Sequence, residues 1–471
     1  MKSFTFTKKP KSALKLDPHF YPIILNNLAF EEAVNNSTCP TLVKISLERS
    51  NQQFSTYELF VFNEEENQEE ANFIYIERFV KTILWLKGGF RLYFSGSPTL
   101  GRKLKEAYST NGLRAFDEVF MTKVYDHPFE VVLCKFEEVP STYEISYPVG
   151  RHLDGYRIGF DAGGSDRKVS AVVNGEAIFS EEVVWSPKIQ SDPSYHYQGI
   201  MDSLQRAASK MPRVDAIGVS SAGIYIDNRV AVASLFRKVP DDLFEKEIKN
   251  IFFRIKKEFG DIPINVQNDG DVTALAGAMS LNKNNVLGIA MGTSEAAGYV
   301  DQLGNITGWL NELSFVPVDY YPHSFRDEWS MDYGVGVGYF SQDAVIKLAQ
   351  NNGFVFDDGL SPAEKLKVIQ HLAKKQNPLA LEIFHTIGVY LGYELAYYAR
   401  FYEIDEVLIL GRVTSGVGGD LVLKSCLAVL KDEFPDLAKT MNVSLPSEMN
   451  RRVGQSIAAA SLPEIKEEVM K

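Results

Sequence analysis

The sequence predicts an α/β protein whose main part is a duplicated unit, preceded by an α+β segment. Three observations predict it. The apolar run through Ile158 and Phe160 ends in Asp161-Ala-Gly-Gly-Ser165, and a second run, Val169 to Val173, follows, so residues 156–173 read as strand, tight turn, strand. Val286 to Val300 repeats the theme around a Gly292-Thr-Ser294 turn. Between them, Ile264 to Ala278 reads as a strand running through Asn268-Asp269 into a helix of small residues, the kind of junction at which α/β proteins gather ligands. Two such hairpins, well separated in one chain, suggest halves that grip one anion from both sides.

Composition narrows the function classes. At 471 residues the chain has room for two or three domains, and 45% hydrophobic with 23% charged residues is an ordinary globular mixture able to bury a core. A net charge of -12 argues against a protein held to nucleic acid by its overall field. Cys39, Cys134 and Cys426 are far apart and odd in number, which fits a reducing cytoplasm and excludes a CxxC zinc cluster. The N-terminus lacks an apolar signal core, and no apolar run reaches the roughly 18 residues of a membrane span, so a cytoplasmic protein without a membrane partner is expected.

Residues 1–150 read as an extra N-terminal α+β domain. Thr41 to Leu47 and Tyr57 to Phe62 alternate at period two and predict a hairpin. Glu64, Glu65, Glu66, Glu69 and Glu70 feed the start of a helix that runs to Gly88-Gly89, where negative charge suits the helix N-terminus. Arg91 to Ser97 and then Pro98 to Tyr108 read as strand, turn and helix. Ser95-Gly-Ser97 is either an anion site at the helix start or a plain cap, and capping explains it at least as well. Phe129 to Phe136 is the closing strand and Pro140 to Pro148 the linker. No helix-turn-helix with a basic second helix is present, which counts against a DNA-reading domain.

In the opening hairpin the adjacent Gly163 and Gly164 let a ligand approach the backbone, and successive N–H groups make an anion cradle to which Ser165 and Lys168 add a hydroxyl and a charge. Asp161, at the strand end, is placed to orient a hydrated Mg²⁺. Val214 to Tyr225 predicts a buried strand ending in Ser220-Ser-Ala-Gly223, and Asp241 to Phe259 a helix. At the next junction Asp269 or Asp271 is either a ligand-facing carboxylate or a helix cap. Ala380 to Tyr402 predicts a long helix in which Gly388 and Gly392, one turn apart, permit close packing. The strand Glu406 to Leu410, the Gly411-Arg-Val-Thr-Ser-Gly416 turn and a closing helix from Val453 follow.

In this order the pieces resemble the ROK family of repressors and sugar kinases, within the actin-like ATPase and sugar kinase superfamily. The resemblance covers about residues 155–462 and rests on five motifs. Asp161-Ala-Gly-Gly-Ser165 and Gly288 to Ser294 resemble the two phosphate loops, and Gly218 to Gly223 the glycine turn after the first. Asn268-Asp269-Gly-Asp-Val-Thr-Ala274 resembles the NDANAAA segment, and Ile409 to Gly416 the nucleotide-contacting turn. The resemblance implies two ribonuclease H-like lobes with a cleft between them, the first spanning 151–265 with helix 453–471 returning to it, the second 266–452. It also implies phosphoryl transfer from Mg-ATP to a sugar hydroxyl in a homodimeric protein. Carried over by position, Asp269 is the general base, and Asn268, Glu312 and Gly223 hold the sugar. Asp161, Gly163, Gly164, Ser165, Lys168, Gly292, Thr293, Gly411, Ser415 and Gly416 contact the nucleotide.

The departures from the family pattern concern charge and metal. Glu312-Leu-Ser-Phe315 keeps the family's Glu but has Phe315 in place of a His, and no cysteine lies between Cys134 and Cys426, so no zinc is expected. Aromatics in Tyr320-Tyr-Pro-His323, or Trp329, either stack on a sugar or belong to the core. Asp166 and Glu295 bring acids to the two phosphate loops, and like charges about 4 Å apart cost on the order of 4 kcal/mol at an effective dielectric near 20. Glu295 either faces the phosphate or points away. Arg412 stands where the family has a second glycine. The expectation is therefore a sugar kinase, with a catalytically silent sugar-binding or regulatory protein of the same fold as the alternative.

Overall fold

In the computed structural model, which describes residues 4–11, 13–146, 148–445 and 450–465, the first helix is Ile23–Asn35 (α1) and the predicted N-terminal hairpin follows it. Its strands, Thr41–Arg49 (β1) and Gln53–Val61 (β2), pair antiparallel with Thr41 opposite Val61. The helix Glu69–Lys87 (α2) begins on its acidic first turn and stops at Gly88, whose φ of 80° ends it. Strand Arg91–Ser95 (β3) leads through helices Pro98–Ala107 (α3) and Ala115–Tyr125 (α4) to Glu130–Leu133 (β4), which lies parallel to β3. The sheet order is β2-β1-β3-β4. Ser97 is a cap: its hydroxyl accepts from Leu100 N at 3.3 Å with Pro98 in the first turn. The predicted linker is strapped onto the sheet, since Phe54 and Tyr143 exchange backbone hydrogen bonds of 2.8 and 2.9 Å, which satisfies part of the β2 edge.

The second sheet holds the opening hairpin. Tyr156–Ala162 (β5), Asp166–Val173 (β6) and Glu176–Val184 (β7) are antiparallel neighbours, and helix Pro193–Ala208 (α5) follows. Ala216–Ser221 (β8) runs parallel to β5, and Ile264–Asn268 (β11), after the small hairpin Ile224–Ile226 (β9) and Arg229–Val232 (β10), runs parallel to β8. The order is β11-β8-β5-β6-β7, with Ile158, Phe160, Val169, Ile217, Val219 and Val266 in its core. The single helix predicted over Asp241 to Phe259 is broken into Asp241–Leu243 (α6), a π-turn at Phe244–Ile248 and Ile251–Glu258 (α7). The physical reason is that the Lys249 carbonyl, at the break, accepts from Val230 N of β10 at 3.0 Å instead of continuing the helical ladder. Helix Asp269–Leu281 (α8) starts where β11 ends.

Val286–Met291 (β12) and Glu295–Val300 (β13) form the second predicted hairpin. Helices Gln342–Asn351 (α9), Pro362–Lys374 (α10) and Pro378–Tyr398 (α11) lead to strand Glu406–Leu410 (β14), helix Val417–Glu433 (α12), the short Leu437–Thr440 (α13) and strand Asn442–Ser444 (β15). The order β13-β12-β14-β15 repeats that of β6-β5-β8-β11, so the duplication read from the two hairpins is real at the level of topology. Helix α11 packs closely on α12 because it carries glycines there. A Cβ on Gly388 would stand 2.4 Å from the Val422 carbonyl, and one on Gly392 2.6 Å from Val429 Cβ. The closing helix is Asn450–Ala460 (α14); of the expected 453–471, residues 466–471 lie outside those described.

The chain divides into two compact units. One comprises residues 1–145, 289–296 and 309–445; the other comprises 146–288, 297–308 and 446–471. Among the described residues no helix is long and apolar enough to cross a membrane.

Candidate functional site

Within the unit of the five-stranded sheet, strand register gathers the predicted residues. Asp161 lies opposite Lys168 on β6 and Ser220 on β8. Ser220 Oγ donates to Asp161 Oδ1 at 2.9 Å. Burial raises the Asp161 carboxyl to about 6 against the lowering effect of the Ser220 hydrogen bond, and the charge of Asp269 raises it further. The N–H groups of Gly163, Gly164 and Ser165 donate to no backbone carbonyl among the described residues. Lys168 Nζ and Ser165 Oγ both lie 3.0 Å from the Asp166 carboxylate, so that acid is neutralised within its own turn.

The junction of β11 and α8 resolves the capping question. Asn268 is the cap: its Oδ1 accepts from Gly270 N at 2.7 Å. Asp269 is thereby released from capping, and Asp271 Oδ1 accepts from Tyr299 N at 3.3 Å. The other end of the Asn268 amide donates to the Gly223 carbonyl at 2.8 Å. Gly223 has a φ of 132°, and a Cβ there would meet the Val232 carbonyl at 2.6 Å, so the turn needs glycine. Burial raises the Asp269 carboxyl; backbone N–H groups and the charge of Lys188 oppose that. Lys188 was not singled out by any motif. It enters from the turn Pro187–Ile189, and a Cβ built on Gly164 would stand 2.6 Å from its Nζ.

The remaining predicted residues sit in the other unit. Gly292 donates its N–H to Ser294 O and accepts from Gln342 N, both at 2.9 Å. Arg412 Nη2 donates to Thr293 Oγ1 at 3.0 Å. Val413 N reaches Met291 O at 3.0 Å, Ser415 N reaches Arg412 O at 3.3 Å, Thr414 Oγ1 donates to Gly411 O at 3.0 Å, and Gly416 begins α12 with a φ of 63°. The Glu312 N–H donates to the Trp85 carbonyl at 3.1 Å.

Glu295 points away from its turn into the protein. It is 3% exposed, neither carboxyl oxygen has a hydrogen-bond partner among the described residues, and a Cβ on Gly336 would lie 2.3 Å from Oε2. Burial, reinforced by the charge of Glu312, pushes its carboxyl well above the ordinary range and so favours the neutral form. The folded state therefore keeps a proton that the unfolded state sheds above pH ~4.3, and stability falls as pH rises by up to about 1.4 kcal/mol per unit. Glu295→Gln removes this pH dependence: its urea midpoint, relative to wild type, is expected to rise as pH climbs from 5 towards the raised folded value. A constant difference across that range would show that Glu295 ionises freely.

No protein-family model and no curated protein sequence matches the chain. Solved structures do. A ROK family transcriptional regulator, a homologue of the E. coli MLC protein, is similar with a TM-score of 0.53 at 17% identity, over 66% of this chain and 79% of its own. The ROK hexokinase from Thermus thermophilus gives 0.50 at 17% identity, over 64% and 97%. A putative sugar kinase from Cytophaga hutchinsonii gives 0.50 at 16%, over 65% and 98%. This chain has the ROK fold.

Phe315 meets an aromatic cluster from the N-terminal segment. Phe315 packs against Trp85 with ring centroids 4.1 Å apart, and Phe116 and Phe120 complete the cluster. Tyr320 is core, its hydroxyl donating to Asn27 Oδ1 at 2.7 Å, whereas Trp329 is exposed beside Phe116 and Phe315. The glycine turn fits a phosphate, having N–H groups open to an anion and a lysine ammonium above it. Asp161 fits a magnesium ion that keeps most of its own water and so needs few protein carboxylates. Among the described residues no group of three or more His, Cys, Asp or Glu is placed to hold a metal by itself.

Proposed function

We propose that the protein is an ATP-dependent kinase that phosphorylates a sugar hydroxyl, with Asp269 as general base. The observation that carries the reading is the release of Asp269 from capping by Asn268, which leaves a half-buried carboxylate at a strand-to-helix junction in the unit that also holds the glycine turn and Lys188. Asp269 would accept the proton of the attacking hydroxyl, and its raised affinity for a proton suits that task. Asn268 keeps one amide N–H beyond the bond to Gly223, and that hydrogen would orient the sugar. Asp161 would face a hydrated Mg²⁺, and the Gly163–Ser165 N–H groups would receive the phosphate oxygens. Mg-ATP, when bound, supplies the phosphoryl group and the cation that screens its charge. The resemblance would further assign Gly292, Thr293, Gly411, Ser415 and Gly416 to the nucleotide and Glu312 to the sugar. A cytoplasmic homodimer completes the reading.

One observation favours a silent sugar-binding or regulatory protein instead. Lys168 is occupied by Asp166 and Thr293 by Arg412, so two groups expected on the nucleotide are already partnered. Calorimetric titration of Mg-ATP, followed by a screen of hexoses, amino sugars and deoxy sugars for ADP release, decides between them. Micromolar ATP binding with release of ADP on one sugar class is expected. Sugar binding without ATP binding would establish the silent protein.

A further inference from the structure

A lysine that belongs to none of the family's motifs stands over the glycine turn of the five-stranded sheet. Lys188 lies in the turn Pro187–Ile189, immediately after β7. That turn is fixed from several sides. The carbonyl of the buried Pro187 faces His196 Nε2 at 3.2 Å, Gln190 N closes on it at 3.1 Å, and Arg237 Nε donates to the Lys188 carbonyl at 3.2 Å. The chain leading into it is tied twice to the glycine turn, Trp185 Nε1 to Gly163 O at 2.8 Å and Trp185 N to Ser165 O at 3.1 Å. These bonds hold the Lys188 backbone where its side chain reaches across Gly164, with Nζ 2.6 Å from the position a Cβ would take. Lys168 is neutralised by Asp166, but no carboxylate lies within ion-pair distance of Lys188 among the described residues.

We propose that Lys188, rather than Lys168, is the cation that holds the phosphoryl group over the Gly163-Gly164 turn. The inference rests on the phosphoryl-transfer reading and deepens it. The ligand class is a phosphoric anhydride, such as pyrophosphate or the terminal phosphates of a nucleoside triphosphate, whose oxygens take N–H groups from the turn and a point charge from the ammonium. The bond formed joins the sugar oxygen to phosphorus, the bond broken joins phosphorus to the bridging oxygen of the donor, and the hydroxyl proton passes to Asp269. Lys168 keeps the turn together by holding Asp166.

Lys188→Met and Lys188→Arg, compared with wild type in the full chain, test this. Pyrophosphate affinity is read by calorimetry, and kcat/KM for ATP and KM for the sugar by coupled assay. Lys188→Met is expected to weaken pyrophosphate by about 10-fold or more and to lower kcat/KM for ATP by about 100-fold, the scale of losing one charged transition-state contact. The sugar KM should stay within about twofold, and Lys188→Arg should recover most of both losses, because a charge and not a shape is at issue. Unchanged pyrophosphate affinity in Lys188→Met overturns the proposal, as does a wild type that binds no pyrophosphate. If wild type binds pyrophosphate through Lys188 but releases no ADP with any sugar, the kinase reading fails and the phosphate site stands.

Discussion

Asp269→Asn is expected to lower kcat for phosphoryl transfer by about 10²–10⁴-fold while changing sugar affinity little. The side chain loses its capacity to take a proton but keeps its shape, and the helix start is undisturbed because Asn268 supplies the cap. Burial raises the Asp269 carboxyl, so wild-type kcat/KM should show an acid limb displaced above the ordinary aspartate range, and that limb should vanish in the variant. The same raised value fixes the sign of a folding effect. A carboxyl that binds its proton more tightly when folded contributes stability below its unfolded pKa and loses it as pH rises through the folded value. The variant should therefore be no less stable than wild type at pH 8, which separates lost chemistry from lost folding. Activity within threefold of wild type would remove Asp269 from the mechanism.

The parts of the site that were legible in the sequence are those fixed by local chain geometry. Two glycines between period-two runs announce a hairpin turn, and a second hairpin of that kind, well separated in the chain, announced the duplicated sheets. Strand register then placed Asp161 beside Ser220, as a parallel β5–β8 pair must. What was hidden depends on side-chain direction and on approach from distant segments. Glu295 lies in the second phosphate loop by sequence, yet it is turned into the protein, where burial favours its neutral form. Lys188 follows an edge strand with no motif around it, and only the folded turn brings it to Gly164. The helix predicted over 241–259 had the right periodicity, but periodicity carries no sign of the β10 strand that takes the Lys249 carbonyl. The N-terminal segment was the least legible, because what it does depends on the surface it meets.

That surface supplies the largest expected effect on stability. Asp332 is buried among three cations from the N-terminal segment: Arg78 Nη1 at 2.8 Å, Arg114 Nη1 at 2.7 Å and Lys81 Nζ at 3.4 Å. Arg78 also stacks on Tyr333, 4.1 Å from its ring centroid. Glu77 pairs with Arg114, and Asp117 lies 2.8 Å from Lys81, so three acids balance three bases in a region closed to water. Attraction to Arg114, Arg78 and Lys81 outweighs the opposing effect of burial and holds the Asp332 carboxyl far below the ordinary range. Asp332→Ala leaves two buried guanidinium groups short of charge and is expected to cost about 3–5 kcal/mol, the range for breaking one side of a buried ion pair. Because the folded pKa is depressed, this contribution is complete above the unfolded value near pH ~4 and is lost as pH falls through the folded one. Urea titrations should show the full gap between wild type and variant at pH 7 and a narrowing gap below pH ~4, by up to about 1.4 kcal/mol per unit. A gap under about 1 kcal/mol at pH 7 would mean that water or rearranged carboxylates rescue the cations, since that is the worth of an exposed pair. The expected size makes Asp332 the residue that commits the N-terminal segment to residues 309–445, in the one compact unit they share.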